Sequence, residues 1–311
     1  MSRLPVPTMP APPVCVVGLG QLGGSLAAAL VAAGRPVTGW DTDPAARAAA
    51  ASRGVTIGRE LSGVVVLATP IPALGTALDD LQVDGDATVT DLGSVKAPVL
   101  AALGARFGTR FVGGHPMCGT ERSGHAAADP ELFRGARWAV CLEPDTELPR
   151  WLRVAELALA VGAEVVPVTA REHDDAVAAI SHVPHLLAAA LAAAAADAGP
   201  LALGLAAGSF ASGTRVIGSD PAFVTAMVEG NAGPTAAALA AVRAQLERPW
   251  PELVADGHAV ARRAGDHRTL RVPLDRAALL ALGRAGGAVS RRLAAFVEGW
   301  VPEEPAASTA P

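Results

Sequence analysis

Val14-Cys-Val-Val-Gly-Leu-Gly-Gln-Leu-Gly-Gly-Ser-Leu26 decides the fold of this chain. A short apolar run meets a glycine cluster and returns at once to helix-forming residues, which is the order strand, tight turn, helix. Gly18 and Gly20 lack a Cβ, so the chain can turn sharply and bring its backbone close to a ligand, and Gly23 lets the new helix lie near the strand. Unpaired N–H groups and the positive end of the helix dipole make such a turn a seat for a pyrophosphate, with Gly18, Gly20, Gln21, Leu22 and Gly23 as its expected contacts. The helix Leu22 to Ala33 ends at Gly34, and a second strand, Val37 to Trp40, delivers Asp41 at the spacing where an acid holds a ribose 2'-hydroxyl. The plainer alternative is a glycine-rich turn in another α/β fold, with Asp41 capping the helix from Pro44. The dinucleotide reading accounts for more of the pattern, and it favours NAD: Asp41 would repel a 2'-phosphate, and Thr42 stands where an arginine would favour NADP.

The 311 residues allow about two domains. At 51% hydrophobic and 18% charged, the composition is that of a soluble globular protein, and a net charge of -5 gives no sign of a nucleic-acid or anionic-membrane surface. Cys15, Cys118 and Cys141 are odd in number and form no metal-ligand pattern, so a reducing, cytoplasmic compartment is the economical expectation and no metal is expected. Residues 1–13 hold five prolines and read as a disordered leader. The most apolar run, Leu186 to Ala196, is too short for a bilayer, which needs roughly 20 residues, and reads as a buried helix.

After Asp41 strands and helices keep alternating. Gly63 to Ala68 is a continuous apolar strand ended by Thr69-Pro-Ile-Pro72, a helix is expected to about Asp80, and Ala87 to Asp91 is the next strand. A helix opens around Gly93-Ser94-Val95-Lys96; Phe111 to Gly114, Trp138 to Leu142 and Glu164 to Pro167 are further strands. This predicts a Rossmann domain, a mostly parallel, doubly wound α/β sheet, over 14–169. Thr169-Ala-Arg-Glu172 has capping-box spacing. From there the pattern is helical with almost no strand, giving a helical domain over 170–300 and a disordered tail over 301–311. A helical half so apolar is expected to bury a face against a second copy of itself.

Ligands of such sheets lie beyond the carboxyl ends of the strands. Thr69-Pro70, Asp91-Leu-Gly-Ser94 and Gly114-His115-Pro-Met-Cys-Gly-Thr-Glu121 fall there. His115 directly follows a strand and can act as a base near neutral pH. In the helical half, Ser181-His182-Val-Pro184-His185 puts two histidines on one helix face, with Pro184 tolerated if Ser181 caps a new helix. The spacing alone leaves open whether that pair is functional or structural, and Arg215 is as compatible with a surface position as with a carboxylate ligand.

Together, Gly18 to Leu26, Asp91 to Lys96, Gly114 to Glu121, Ser181 to Leu186, and Thr214-Arg215 through Asn231 resemble the successive motifs of the prephenate/arogenate dehydrogenases. The resemblance spans roughly 14–235. It implies a Rossmann domain followed by a helical dimerisation domain with the active site between them, and oxidative decarboxylation of a cyclohexadienol toward tyrosine. It implies that His115 is the catalytic histidine and that Ser94 bonds the substrate hydroxyl. Glu121, His182, His185 and Arg215 would line the pocket for prephenate or arogenate, and the partner would be a second copy. Cys118 and Ser212 depart from the usual alanine and aspartate, the latter removing an acid that could pair with Arg215. A β-hydroxyacid dehydrogenase is disfavoured because no lysine occurs after Lys96. A dinucleotide-sensing protein without chemistry is disfavoured by the joint presence of His115, Ser94 and Arg215. Prephenate, arogenate and an amino-substituted prephenate remain alternative substrates.

Replacing Asp41 by Ala together with Thr42→Arg should move cofactor preference from NAD toward NADP. Initial rates at low concentrations of each cofactor test this, and faster turnover of NADP by the unmodified protein would overturn the reading of Asp41.

Overall fold

Strand β1 (Val14–Val17) is buried along its whole length, and its alternate residues enter different cores: Val14 and Val16 one, Cys15 and Val17 the other. A strand buried on both faces belongs inside a parallel sheet. In the computed structural model, which describes residues 11–119, 123–261, 267–293 and 296–302, β1 pairs in parallel with β2 (Val37–Trp40) and with β5 (Val64–Leu67). The full first sheet runs β3 (Thr56–Ile57), β2, β1, β5, β7 (Thr88–Asp91), β8 (Phe111–Val112), all parallel. β4 (Glu60–Leu61) and β6 (Gln82–Val83) form a separate two-stranded ribbon.

Helices α1 (Gln21–Ala32), α2 (Pro44–Ser52) and α3 (Ala97–Phe107) connect these strands. The helix expected to about Asp80 is only a 3-10 turn at Ile71–Ala73 followed by further turns. Pro12 and Pro13, assigned to a disordered leader, are tied down: the Arg35 guanidinium donates to the Pro12 carbonyl at 2.9 Å, and Val64 N–H to that of Pro13 at 2.9 Å. Residues 1–10 lie outside the described residues.

One residue, Gly113, separates β8 from β9 (Gly114–Pro116), and with that step the chain leaves the first sheet. β9 is the edge of a second, mixed sheet in which β10 (Arg137–Cys141) runs antiparallel to β9 and parallel to β11 (Glu164–Val168). Helix α4 (Leu148–Ala160) joins β10 to β11. Trp138 stacks on Phe133 with ring centroids 5.3 Å apart, and Trp151 donates to the Val140 carbonyl. These residues share one hydrophobic core with Val14, Val16 and Leu26, so the two sheets enclose a common interior.

The expected capping box is present: Thr169 accepts from Glu172 N–H, while the Glu172 carboxylate accepts from Thr169 N–H. α5 (Ala170–Val177) does not stop before Ser181. It passes through a π turn, Ala178–His182, into α6 (Val183–Asp197) as one 28-residue rod. Ser181 is not the cap its spacing predicts. Pro184 cannot donate to Ile180, and the chain instead widens by one residue, with Val183 N–H reaching the Ala178 carbonyl. The rod is long and apolar enough to cross a membrane by length and composition, a point not visible from Leu186 to Ala196 alone. Nor is it buried within one chain: of α6 only Val183 and Ala188 are fully covered. α7 (Pro200–Gly204), α8 (Gly208–Thr214), α9 (Pro221–Gly230), α10 (Ala232–Leu246) and α11 (Trp250–Ala261) complete the helical region.

The expectation of almost no strand beyond Thr169 fails after α11. β12 (His267–Pro273), α12 (Arg276–Arg284), β13 (Ala288–Arg292) and β14 (Phe296–Pro302) form a unit that returns to the second sheet, giving the order β12-β14-β13-β11-β10-β9. Val272, Leu279, Leu282, Val289 and Val297 belong to the same core as Trp138 and Val140. Val301 and Pro302, assigned to the tail, end β14; residues 303–311 lie outside the described residues. β12 is largely exposed, which leaves its alternation faint in the sequence.

α12 lies so close to β11 that a Cβ on Gly283 would stand 1.9 Å from the Pro167 carbonyl oxygen. Gly283→Ala should therefore destabilise the protein by about 1–3 kcal/mol, a typical cost of overpacking. A denaturant midpoint equal to that of the parent would show that α12 can move off β11 freely.

Candidate active site

At the first turn Gly18 has φ +91°, and a Cβ there would meet the Ala68 carbonyl at 2.8 Å. On Gly23 it would lie 1.8 Å from the Gly18 carbonyl oxygen, whereas on Gly20 it would point into open space. Gly18 and Gly23 are thus fixed by the fold, and Gly20 leaves room above the N-terminus of α1, where no side chain caps the N–H groups. The Asp41 carboxylate accepts from Leu19 N–H at 2.6 Å and from Asp43 N–H at 2.8 Å, locking the glycine turn to the end of β2. Thr69 lies beside this turn with its Oγ1 buried and without a protein partner, and Pro70 is exposed at the rim. A cradle that a Cβ would fill, open helix N–H groups and an orphaned hydroxyl fit a dinucleotide.

The second cluster lies where β7 ends and β9 begins. Asp91 and Lys96 form an ion pair that is almost wholly buried, at 0% and 1% exposure. Lys96 Nζ also donates to the Gly114 carbonyl at 2.7 Å, while Gly114 N–H donates to Asp91 at 3.1 Å. These bonds staple the loop carrying Ser94 to the strand carrying His115. Ser94 is buried and its Oγ has no protein partner.

His115 faces the helical region. Its Nδ1 is 2.8 Å from Nε2 of His173 on α5, and His173 Nδ1 is 2.8 Å from Asp174 Oδ1. The Asp174 carboxylate also accepts from Lys96 N–H at 2.8 Å and Ala97 N–H at 2.7 Å, the open amides at the start of α3. A carboxylate only accepts, so His173 Nδ1 carries the proton and donates it. Neutral His173 then accepts at Nε2, His115 donates from Nδ1, and Nε2 of His115 keeps a lone pair. Burial, with His173, Lys96 and His182 nearby, holds the His115 pKa well below the ordinary value of 6.5. The ring is neutral at pH 7 and able to take a proton.

His182, on the π turn, is fully buried. The Asn231 amide donates to the Asp174 carbonyl at 2.7 Å and to His182 Nδ1 at 3.3 Å, and Thr235 Oγ1 is 3.2 Å from the same nitrogen. Nδ1 is thereby an acceptor, and the unpartnered Nε2 carries the proton. Burial lowers the His182 pKa to about 4. His182 is built as a donor, which argues against it as a base in place of His115. His185 is half-buried on α6, and burial lowers its pKa as well. Arg215 stands exposed on the 3-10 turn Arg215–Gly218. Glu121 lies outside the described residues.

Sequence reading passed over Lys96, Asp91, His173, Asp174 and Asn231 as working parts. A histidine and an aspartate directly after the capping box, at the junction of two domains, were the available signal.

Two family models match consecutive parts of the chain: the prephenate dehydrogenase nucleotide-binding domain over residues 26–167 and the prephenate dehydrogenase dimerization domain over 169–257. The prephenate dehydrogenase of Bacillus subtilis is 33% identical over 229 residues, 67% of this chain and 61% of that one, so the chain spans less than two thirds of this relative's length. A crystal structure from Corynebacterium glutamicum, described as a candidate prephenate dehydrogenase, is 38% identical with a TM-score of 0.73, covering 80% of this chain and 87% of that one. The Aquifex aeolicus prephenate dehydrogenase, solved with hydroxyphenyl propionate and NAD+, is 27% identical with a TM-score of 0.71, covering 79% and 92%.

Burial pushes the Asp174 carboxyl up, but the bonds from His173, Ala97 and Lys96 outweigh it and hold the group below the usual carboxylate range. Its contribution to stability is therefore present above about pH 4, the unfolded value, and is lost as pH falls through the folded one. Asp174→Ala, which orphans buried donors, should cost about 1–3 kcal/mol at pH 7. Unfolding at pH 7 and pH 3 should show that deficit shrinking in acid; a deficit independent of pH would deny the carboxylate this role.

Proposed function

The chain belongs to the prephenate dehydrogenase family, and from that membership we propose that it catalyses the NAD-dependent oxidative decarboxylation of prephenate to 4-hydroxyphenylpyruvate and carbon dioxide. The observation that carries this reading is His115: a neutral imidazole in the middle of the short edge strand β9, with a free lone pair on Nε2. It sits on a strand stapled to the loop of an unpartnered Ser94 hydroxyl. NAD, when bound on the glycine turn with its ribose at Asp41, supplies the hydride acceptor.

His115 takes the proton of the ring hydroxyl while Ser94 holds the same oxygen by a hydrogen bond. The carbon bearing that oxygen becomes a carbonyl conjugated with the ring. Loss of the ring carboxylate as carbon dioxide then makes the ring aromatic, which draws the reaction forward. His182 offers a fixed N–H to the pocket, and Arg215, with His185 and Glu121, is assigned to substrate carboxylate and side-chain binding. Arogenate is the alternative substrate, because His115 and Ser94 act on the ring hydroxyl, which prephenate and arogenate share.

A homodimer through the helical region is part of the proposal. Ile180, Leu201 and Leu205 are 68%, 75% and 74% exposed, and Leu187, Leu191 and Phe223 are exposed as well. So large an apolar surface on one chain calls for a partner. The three free thiols support a reducing, cytoplasmic setting.

Reduction of NAD with prephenate, followed spectrophotometrically beside arogenate, tests the activity; no turnover of either substrate would overturn it. His115→Asn should lose roughly 10²- to 10⁴-fold in kcat while still binding cofactor. In the parent, kcat/KM should fall on the acid side below about 6.5, the ordinary histidine value, because burial lowers the pKa of the hydrogen-bonded His115 and His173 rings alike. His182→Asn should keep that acid limb. If the limb vanishes there and survives in His115→Asn, the base is His182.

A further inference from the structure

We propose that the proton taken by His115 is passed on and held by His173 as an imidazolium paired with Asp174, so that the three residues form a relay across the domain boundary. The inference rests on the proposed function for its chemical step, but the resting arrangement is a property of the protein itself. His115 Nδ1–H points at His173 Nε2 across 2.8 Å, and His173 Nδ1–H at Asp174 across 2.8 Å.

The charges around the pair decide where an added proton comes to rest. His115 has buried Lys96 beside it, itself paired with Asp91, and His182 from the π turn; no carboxylate bonds to it directly among the described residues. His173 has the Asp174 carboxylate, which opposes the effects of burial and Lys96. An imidazolium at His115 is therefore costlier than one at His173. As the substrate O–H bond breaks and a bond from that proton to His115 Nε2 forms, the Nδ1–H bond of His115 breaks and its proton bonds to His173 Nε2. His115 ends neutral as the Nε2–H tautomer, and His173 ends cationic against Asp174. One proton enters the pair and none is lost. The cycle closes by running the relay backwards: the proton on His115 Nε2 leaves to solvent, the shared proton returns from His173 Nε2 to His115 Nδ1, and the lone pair on Nε2 is restored.

The same logic gives the acid limb a different owner. An extra proton on the pair resides on His173, and His115 is then an Nε2–H donor with nothing to offer a hydroxyl. His173 is thus a positioning and proton-holding residue acting through His115.

Long-range ¹H–¹⁵N spectra of histidine-labelled protein, with His115→Asn and His173→Gln for assignment, report tautomers without any turnover. Near pH 7.5 both rings should be Nδ1–H. On acidification His173 should become the imidazolium first, and His115 should move its proton from Nδ1 to Nε2 in the same step. A first imidazolium on His115, or an Nε2–H His115 at neutral pH, would overturn the relay. In turnover, His173→Gln keeps an acceptor for His115 Nδ1–H but cannot hold a proton. It should lose at least tenfold in kcat with KM within about threefold, and its acid limb should move to lower pH, toward the ionisation of His115 alone. An unchanged kcat with an unmoved limb would also overturn it. Absence of turnover in the parent would sink the functional reading, and the imidazole spectra would still decide the relay.

Discussion

The carboxylate of Asp174 is the point on which both halves of the molecule close. It caps α3 of the parallel sheet through two backbone amides, orients His173, and stands one residue from the ring that meets His115. Its own carbonyl takes the Asn231 amide, which reaches on to His182. A single acid thus ties a helix terminus, two imidazole orientations and the packing of α10 to α5. Each of these could be satisfied separately by other side chains. Satisfying them with one group makes the geometry of the base depend on the docking of the helical region.

Below that contact lies a floor of buried charge. Asp91 and Lys96 would be costly to enclose without partners, and both are fully engaged with each other and with Gly114. Their effect is local: they fix the start of β9 and bring a positive charge near His115, which favours its neutral form. The Rossmann turn is held in the same manner, by Asp41 bonding the backbone of Leu19 across to β2.

What could be read from the sequence was whatever local chemistry decides. The glycine turn, the strand around Val64 and the capping box at Thr169 all declare themselves in a few residues, whereas His115, expected just after a strand, lies inside β9. Three features did not. The helix expected before Asp80 rested on a weak apolar pattern, and the chain there makes only short turns. The unbroken rod through Pro184 depended on a π turn, which has no distinct periodicity. Of the strands after His267, β13 pairs with β11 across a long separation and β12 with β14 across a helix and a strand, and β12 is largely exposed, so its alternation is faint. His173 and Asp174 escaped notice for a related reason: on a helix they look like ordinary polar residues, and only the fold brings α3 and β9 against them.

The pairing of Val165 in β11 with Val289 in β13 has a consequence for how the molecule comes to exist. Topologically the helices from α5 to α11 are an insertion between neighbouring strands of one sheet. During synthesis the edge of β11 waits unpaired until the whole insertion has emerged, and closure of that long loop makes the last strands late joiners. The insertion is then moored at both ends to the same sheet, so any swing of the helical region relative to the nucleotide-binding half turns about two strands of chain in place of one. A doubly moored hinge has fewer directions of travel than a single linker, which suits a site whose base is aligned from across it.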